Sequence, residues 1–231
     1  MRLRSLSPLK RIAGMALCLC VFAGGHAQAG SLAVVLDAGG GNVADAVVSL
    51  HSPQAATAAR PAGAVIDQRD TQFQPRVSVV HVGSRVEFPN SDNVRHQVYS
   101  FSPAKRFQLP LYSGKAAAPV TFDTPGVVEL GCNIHDWMIA YIVVLDSPYH
   151  AIADAGGRVR LEAPPGRYRL RAWHPHLVCG APVVEQDVVV PAGAGEVRVS
   201  LPLQAQAPRQ GPGDEKLREL QERFRKLKRE R

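Results

Sequence analysis

A cysteine, a histidine and a methionine share one short segment, Cys132–Met138 (CNIHDWM). Its C-x2-H-x2-M spacing places a thiolate, an imidazole and a thioether on one loop, and a second imidazole, His96, lies upstream. One thiolate, two imidazoles and a weakly held thioether are the ligands of an electron-transfer copper site. We therefore predict a copper site, cycling between Cu⁺ and Cu²⁺, whose ligands are His96, Cys132, His135 and Met138.

Two members of this set have alternative roles. Cys132 could form a disulfide with Cys179, because these are the only cysteines outside residues 1–29 and exported proteins favour disulfides. Met138 could fill the core, although it is the only methionine outside residues 1–29. The ligand spacing around Cys132 favours the metal, since a cysteine placed by chance would not have His and Met at these positions.

The predicted ligand set suits electron transfer. Thiolate is soft and imidazole borderline, so together they hold both oxidation states of copper. No open coordination position or general base is evident in the sequence, and we predict that the protein is not an enzyme. Two other functions stay open: a copper carrier or sensor that uses the same ligands, and a non-metal β-sandwich module that binds a protein or a glycan.

The first 29 residues read as a targeting segment. A basic start with Arg2, Arg4, Lys10 and Arg11 precedes an apolar run, Ile12–Gly25, and an A-x-A end. This order is typical of a cleaved secretory signal, and the run is short for a membrane span. We therefore predict a periplasmic protein.

The net charge of +7 does not indicate a nucleic-acid partner. Four positive charges lie in residues 1–29, and residues 214–231 hold eight Lys and Arg against five Asp and Glu. The body of the chain is therefore close to neutral and lacks the basic stripe that nucleic-acid binding needs.

The region from Leu32 to Leu203 predicts an all-β fold. Short β-branched or alternating runs are separated by Gly, Pro, Asn and Asp turns, as in antiparallel β-sandwiches. Residues 204–213 are a Gln-, Pro- and Gly-rich linker. Residues 214–231 are predicted to form a short basic amphipathic helix whose apolar seam comprises Leu217, Leu220, Phe224 and Leu227. Two heptads are unstable alone, so the helix either frays or docks on the body, on a partner or on an anionic membrane surface.

Two segments resemble the halves of a carboxypeptidase regulatory-like, transthyretin-type domain: Val34–Leu50 (VVLDAGGGNVADAVVSL) and Ala151–Trp173 (AIADAGGRVRLEAPPGRYRLRAW). The copper-like segment between them is either inserted into this domain or stands in tandem with it. The predicted order is a signal peptide (1–29), first strands of a regulatory-like β-sandwich (30–63, discontinuous with 148–203 if there is an insertion), a cupredoxin-like copper domain (64–147), a regulatory-like β-sandwich (148–203), a linker (204–213) and the helix (214–231).

The ligand-bearing segments resemble the cupredoxins. Val86–Val98 (VEFPNSDNVRHQV) is similar to the strand that carries that family's first ligand, and Phe122–Gly126 (FDTPG) to the strand and turn before the cysteine. The short C-x2-H-x2-M loop is most similar to that of the amicyanins; plastocyanins have a longer gap before the methionine. Over a longer span, from Asp67 to Pro175, the chain resembles the periplasmic methylamine-utilisation-type proteins that carry a cupredoxin domain.

This resemblance implies a Greek-key β-sandwich and several residue roles. Asn90 would hydrogen-bond near the Cys132 sulfur and tie the two ligand-bearing segments together. Trp137 would either contribute to an apolar docking surface beside His135 or serve as a buried anchor. The partner would be a redox protein such as a c-type cytochrome or a periplasmic dehydrogenase. Three positions depart from the usual pattern, since Arg95 and Gln97 flank the first histidine and Leu130 replaces an aromatic residue. These departures leave the ligands intact but alter their surroundings, and with them the reduction potential.

Overall fold

The structure, a computed structural model, describes residues 30–53, 60–114, 118–178 and 183–204. The predicted signal peptide (1–29), Cys179 and the predicted C-terminal helix (214–231) lie outside these described residues. Within the described ranges the chain forms seventeen strands: β1 (Gly30–Asp37), β2 (Val47–His51), β3 (Gly63–Val65), β4 (Asp67–Arg69), β5 (Gln72–Gln74), β6 (Val77–His81), β7 (Ser84–Glu87), β8 (Tyr99–Ser100), β9 (Phe107–Gln108), β10 (Val120–Phe122), β11 (Gly126–Gly131), β12 (Ile139–Leu145), β13 (His150–Ile152), β14 (Arg158–Ala163), β15 (Gly166–Trp173), β16 (Val184–Val190) and β17 (Ala194–Ser200).

One sandwich combines early and late strands of the chain. Its sheets have the strand orders β14-β1-β17 and β13-β2-β15-β16. The two sheets face each other because each has an apolar face to bury. In β14, for example, apolar residues alternate with charged ones; the apolar residues are buried and the charged residues are exposed. A strand of period two buries one face in this way. The shared core includes Val34, Leu50 and Leu170.

A second sandwich is built from strands between Gly63 and Leu145. Its sheets have the orders β10-β7-β3 and β6-β12-β11-β8-β9, and a separate two-stranded hairpin, β4-β5, lies beside them. Its core includes Phe88, Phe122 and Leu130. Along the chain, the strands of the second sandwich lie between β2 and β13 of the first sandwich, so the second sandwich interrupts the first. The residue boundaries of the two domains stay a prediction.

Strand β12 serves two cores. Its sequence, IAYIVVL, is apolar throughout and its residues are almost all buried. Ala140, Ile142 and Val144 pack inside the second sandwich. The alternate residues, Tyr141, Val143 and Leu145, pack instead against residues of the first sandwich, including Trp173 and Val47 of β15 and β2. A strand covered on both faces reads as a continuous apolar run rather than an alternating one.

The predicted all-β fold class is confirmed. The described sheets form β-sandwiches. The transthyretin-type resemblance of the other sandwich stays a prediction. Within the described ranges, no helix is long and apolar enough to cross a lipid bilayer.

Candidate metal centre

Three of the predicted ligands meet at one point of the second sandwich. The Nδ1 atom of His96 lies 3.1 Å from Nδ1 of His135. The sulfur of Cys132 lies 4.0 Å from Nδ1 of His96 and 3.8 Å from Nδ1 of His135. These side chains form a group that could hold a metal ion.

The fold brings His96 and Cys132 together although they are 36 residues apart in the chain. Cys132 directly follows β11 and Met138 directly precedes β12, and these strands are antiparallel neighbours. The loop between them is closed by the Met138 N–H, which donates to the His135 carbonyl at 2.9 Å. On the other side, the backbone of His96 exchanges two hydrogen bonds with Tyr112, at 2.9 and 3.0 Å.

The three donor atoms fit a single metal ion. Metal–nitrogen bonds of about 2.0 Å and a metal–sulfur bond of about 2.3 Å can span at most about 4.0 Å between two nitrogens and about 4.3 Å between a nitrogen and a sulfur. The observed separations of 3.1, 3.8 and 4.0 Å lie within these limits, so His96, Cys132 and His135 could hold one ion together. A trigonal His₂Cys set with a weak axial ligand is the arrangement of blue-copper sites, whereas structural zinc sites are four-coordinate and tetrahedral.

The three candidate ligands differ in their exposure to solvent. His96 is 0% exposed and Cys132 is 2% exposed, whereas His135 is partly exposed. Burial, followed by the neighbouring His96 ring, lowers the pKa of His135 below its ordinary value. A neutral imidazole is the form that binds a metal.

Met138 lies where the loop turns back into β12. It is 1% exposed and packs in the same apolar cluster as Cys132 and Leu130. Its position three residues after His135 is compatible with axial contact to a metal and also with core packing. The contacts of Met138 therefore agree with either role.

The predicted role of Asn90 needs correction. Its amide N–H groups donate to the carbonyls of Val94 and Tyr112, both at 2.9 Å, and its Oδ1 accepts from the Asp92 N–H at 3.0 Å. Both donors are therefore used within this part of the sandwich, and the side chain ties the His96 segment to the Tyr112 segment rather than to the Cys132 sulfur.

Trp137 is half-buried rather than freely exposed. Its indole N–H donates to the Thr71 carbonyl at 3.2 Å, and its ring lies 5.2 Å from that of His135. Ile134 of the same loop is the more exposed apolar residue, at 51%. An apolar surface beside His135 therefore consists mainly of Ile134 with the outer part of Trp137.

Sequence reasoning missed the partner of His96. The Nε2 atom of this ring lies 2.7 Å from Oδ2 of Asp92. The same carboxylate accepts hydrogen bonds from the N–H groups of Asp70, at 2.7 Å, and Thr71, at 2.9 Å. An aspartate four residues before a candidate ligand was the available signal for this contact.

A serine, a histidine and an aspartate also line up elsewhere, in a cavity of about 540 Å³ lined by both sandwiches. Ser49 Oγ lies 2.8 Å from His51 Nε2, and His51 Nδ1 lies 3.2 Å from Asp146 Oδ1. A serine hydrolase also needs N–H donors for the oxyanion. Ser49 lies in β2, which has a partner strand on each side, so its backbone N–H groups point toward those strands and not into the cavity. We assign this group no catalytic role.

Comparison with known proteins gives partial structural matches. No family model and no curated protein match this chain. Similar solved structures include a purple cupredoxin from Nitrosopumilus maritimus, with 22% identity over 36% of this chain and 99% of that chain and a TM-score of 0.32. A reduced Cu(I) form of an amicyanin mutant at pH 4 has 24% identity over 44% of this chain and 99% of that chain, with a TM-score of 0.33.

A third similar structure is a Cu-containing nitrite reductase from Thermus scotoductus, with 25% identity over 42% of this chain and a TM-score of 0.35. The match spans only 25% of the nitrite reductase chain. All three matches cover less than half of this chain. The function of this chain is therefore inferred from contacts among its own residues.

Proposed function

We propose that this chain is a periplasmic type 1 copper protein that transfers single electrons between redox partners. The observation that carries the proposal is the triangle of one sulfur and two ring nitrogens, with sides of 3.1, 3.8 and 4.0 Å. Met138 would supply the weak axial thioether. The predicted signal segment, residues 1–29, supports export.

The alternative for the same contacts is a set of hydrogen bonds without an ion, in which one histidine ring donates to the other. Such an arrangement would bury a thiol and one imidazole beside a second, partly exposed imidazole for no evident gain in stability. The neutral state favoured for His135 and the lone pair left on His96 Nδ1 both suit a metal better.

Each residue has a distinct part in the proposed function. When bound, copper supplies a one-electron couple. Cys132 supplies a soft thiolate, and its burial keeps water and oxidants away from the sulfur. The strands on either side of the Cys132–Met138 loop hold the ligands in place. Ligands that move little on electron transfer lower the cost of changing the oxidation state.

His135 is the proposed route of the electron. It is the ligand of the triangle that is partly exposed, since His96 and Cys132 are buried. Ile134 and Trp137 would form an apolar contact surface around it, which suits a transient redox partner such as a c-type cytochrome or a periplasmic dehydrogenase.

Titration of the purified protein with Cu²⁺, followed by visible absorption, tests the proposal. We expect one equivalent of copper to produce a strong thiolate-to-copper band that disappears in Cys132→Ser. Copper bound without this band in the wild type would contradict a type 1 site, because the sulfur would then not be a ligand.

A matched control is available within the chain. His51 is also held near a carboxylate, but in the cavity between the sandwiches, so His51→Asn should leave the band unchanged. His135→Asn should weaken or remove it. Equal spectra for His135→Asn and the wild type would exclude His135 as a ligand.

A further inference from the structure

Asp92 places a carboxylate against the buried ring of His96. The distance from Asp92 Oδ2 to His96 Nε2 is 2.7 Å, and the two side chains are 14% and 0% exposed. We propose that Asp92, held in place by the turn Asp70–Thr71, is a positioning residue that aims His96 at the metal and favours the oxidised ion. This inference rests on the proposed function.

The first step concerns which ring nitrogen of His96 carries the proton. An ionised carboxylate can only accept hydrogen bonds, so the Nε2 atom that faces it must donate. The neutral ring then has its lone pair on Nδ1, the atom that faces Cys132 and His135. A carboxylate that fixes the tautomer of a metal-binding histidine also makes the histidine a stronger donor.

The second step concerns the charge of Asp92. Three N–H groups converge on this carboxylate, those of the Asp70 backbone at 2.7 Å, the Thr71 backbone at 2.9 Å and the His96 ring at 2.7 Å, and such donors stabilise its negative charge. These contacts favour the ionised form of the carboxylate beside His96.

The third step concerns what holds the carboxylate. Asp70 and Thr71 form the tip of the β4-β5 hairpin, and both have a φ of 54°, in the left-handed region. This conformation directs two consecutive N–H groups at the Asp92 carboxylate, at 2.7 and 2.9 Å. Behind the tip, the backbone and side-chain N–H groups of Gln68 both donate to the carbonyl of Pro89, and these hydrogen bonds anchor the hairpin on the segment that follows β7 and leads to the site.

The same turn also contacts the other ligand segment. The Thr71 carbonyl accepts the indole N–H of Trp137, whose ring lies against His135. One hairpin tip is therefore hydrogen-bonded to the residue that holds His96 and to the residue that packs against His135. Movement of this tip would displace both sides of the site together.

The sign of the effect on the metal follows from the charge. A negative carboxylate in contact with a ligand stabilises the more positive ion, so Asp92 should favour Cu²⁺ over Cu⁺ and lower the reduction potential. In Asp92→Asn the side chain keeps its shape and loses its charge. We expect the preference for Cu²⁺ over Cu⁺ to fall about tenfold, which is a rise of about 59 mV in the potential.

The experiment compares Asp92→Asn with Asp136→Asn. Asp136 lies between His135 and Trp137 on the ligand loop, but its side chain is exposed, so its replacement removes the same charge close to the site without removing a contact to a ligand. We expect the potential to rise clearly in Asp92→Asn and to change little in Asp136→Asn. Equal shifts in the two variants would overturn the inference.

A second measurement does not need copper. Nitrogen-15 NMR of the metal-free wild type reports which ring nitrogen of His96 is protonated, and we expect Nε2. A proton on Nδ1 would overturn the positioning role even if the potentials behaved as expected. A wild type that has the Nε2 proton but shows no thiolate-to-copper band would refute the proposed function and leave the contact between Asp92 and His96 established.

Discussion

Ile134→Asp is the substitution that most directly tests the route of the electron. Ile134 lies between Cys132 and His135 on the ligand loop and is 51% exposed. Trp137 is less suitable, because it is half-buried and its indole N–H is hydrogen-bonded to Thr71, so its replacement would also disturb packing. A change at Ile134 alters the surface beside His135 without removing a core side chain.

The expected magnitude follows from the exposed half of the side chain. Full burial of an isoleucine contributes about 1.5–3 kcal/mol, so the exposed half of Ile134 would contribute about 0.8–1.5 kcal/mol when a partner covers it. This corresponds to roughly four- to twelvefold in the affinity of the encounter complex. Aspartate also adds a charge that the partner must desolvate, so we expect the rate of electron exchange to fall by at least about tenfold.

Electron self-exchange provides an assay that needs no identified partner. Line broadening in NMR spectra of mixed reduced and oxidised protein gives the second-order rate, and a series of ionic strengths separates charge repulsion from the loss of apolar contact. Val189→Asp is the matched control, since Val189 is an exposed valine on β16 of the other sandwich. Equal rates for Ile134→Asp and Val189→Asp, with intact copper spectra, would refute His135 as the route.

Three further predictions concern the ligands and the fold. Cys132→Ser should abolish the blue colour and high-affinity copper binding, whereas Cys179→Ser should leave both unchanged; bleaching by the second substitution would favour a role for Cys179 at the site. Met138→Leu should keep copper but raise the reduction potential and shift the visible band, because a weak axial ligand tunes the site; complete loss of copper would contradict this axial role. Burial lowers the pKa of His174, so the unfolded chain binds a proton more readily. The free energy of unfolding should therefore fall as the pH drops below about 6.5, and denaturant titrations should show a smaller fall in His174→Asn.

The sequence determined the features that depend on neighbouring residues. The C-x2-H-x2-M spacing alone brings Cys132, His135 and Met138 into one loop, because seven residues between two paired strands cannot separate widely. The alternating and β-branched runs Ala46–His51, Val77–Val82 and Arg167–Trp173 likewise predict strands, and β2, β6 and β15 lie within a residue of them. The hairpin β4-β5 was missed, since its strands, DQR and QFQ, are short and mostly polar.

The tertiary structure decided which distant residues meet. The residues next to His96 in the chain do not place its Nδ1 atom 3.1 Å from His135. The backbone pairing of His96 with the distant Tyr112 holds it there. The run Ile139–Leu145 predicts a strand, but not that its two faces pack into two different cores. The cause is sheet register, which is set by contacts along the whole fold.

At the site itself, Asp92 and Asn90 make contacts that the sequence did not predict. The resemblance assigned Asn90 to the cysteine, yet its amide is used by the carbonyls of Val94 and Tyr112. Asp92 is four residues from His96 in the chain, but its carboxylate is held by a turn more than twenty residues away. Ligand identity can be read from residue types and spacing because coordination chemistry selects them. The hydrogen bonds that aim those ligands depend on how separate segments pack, which only the folded chain decides.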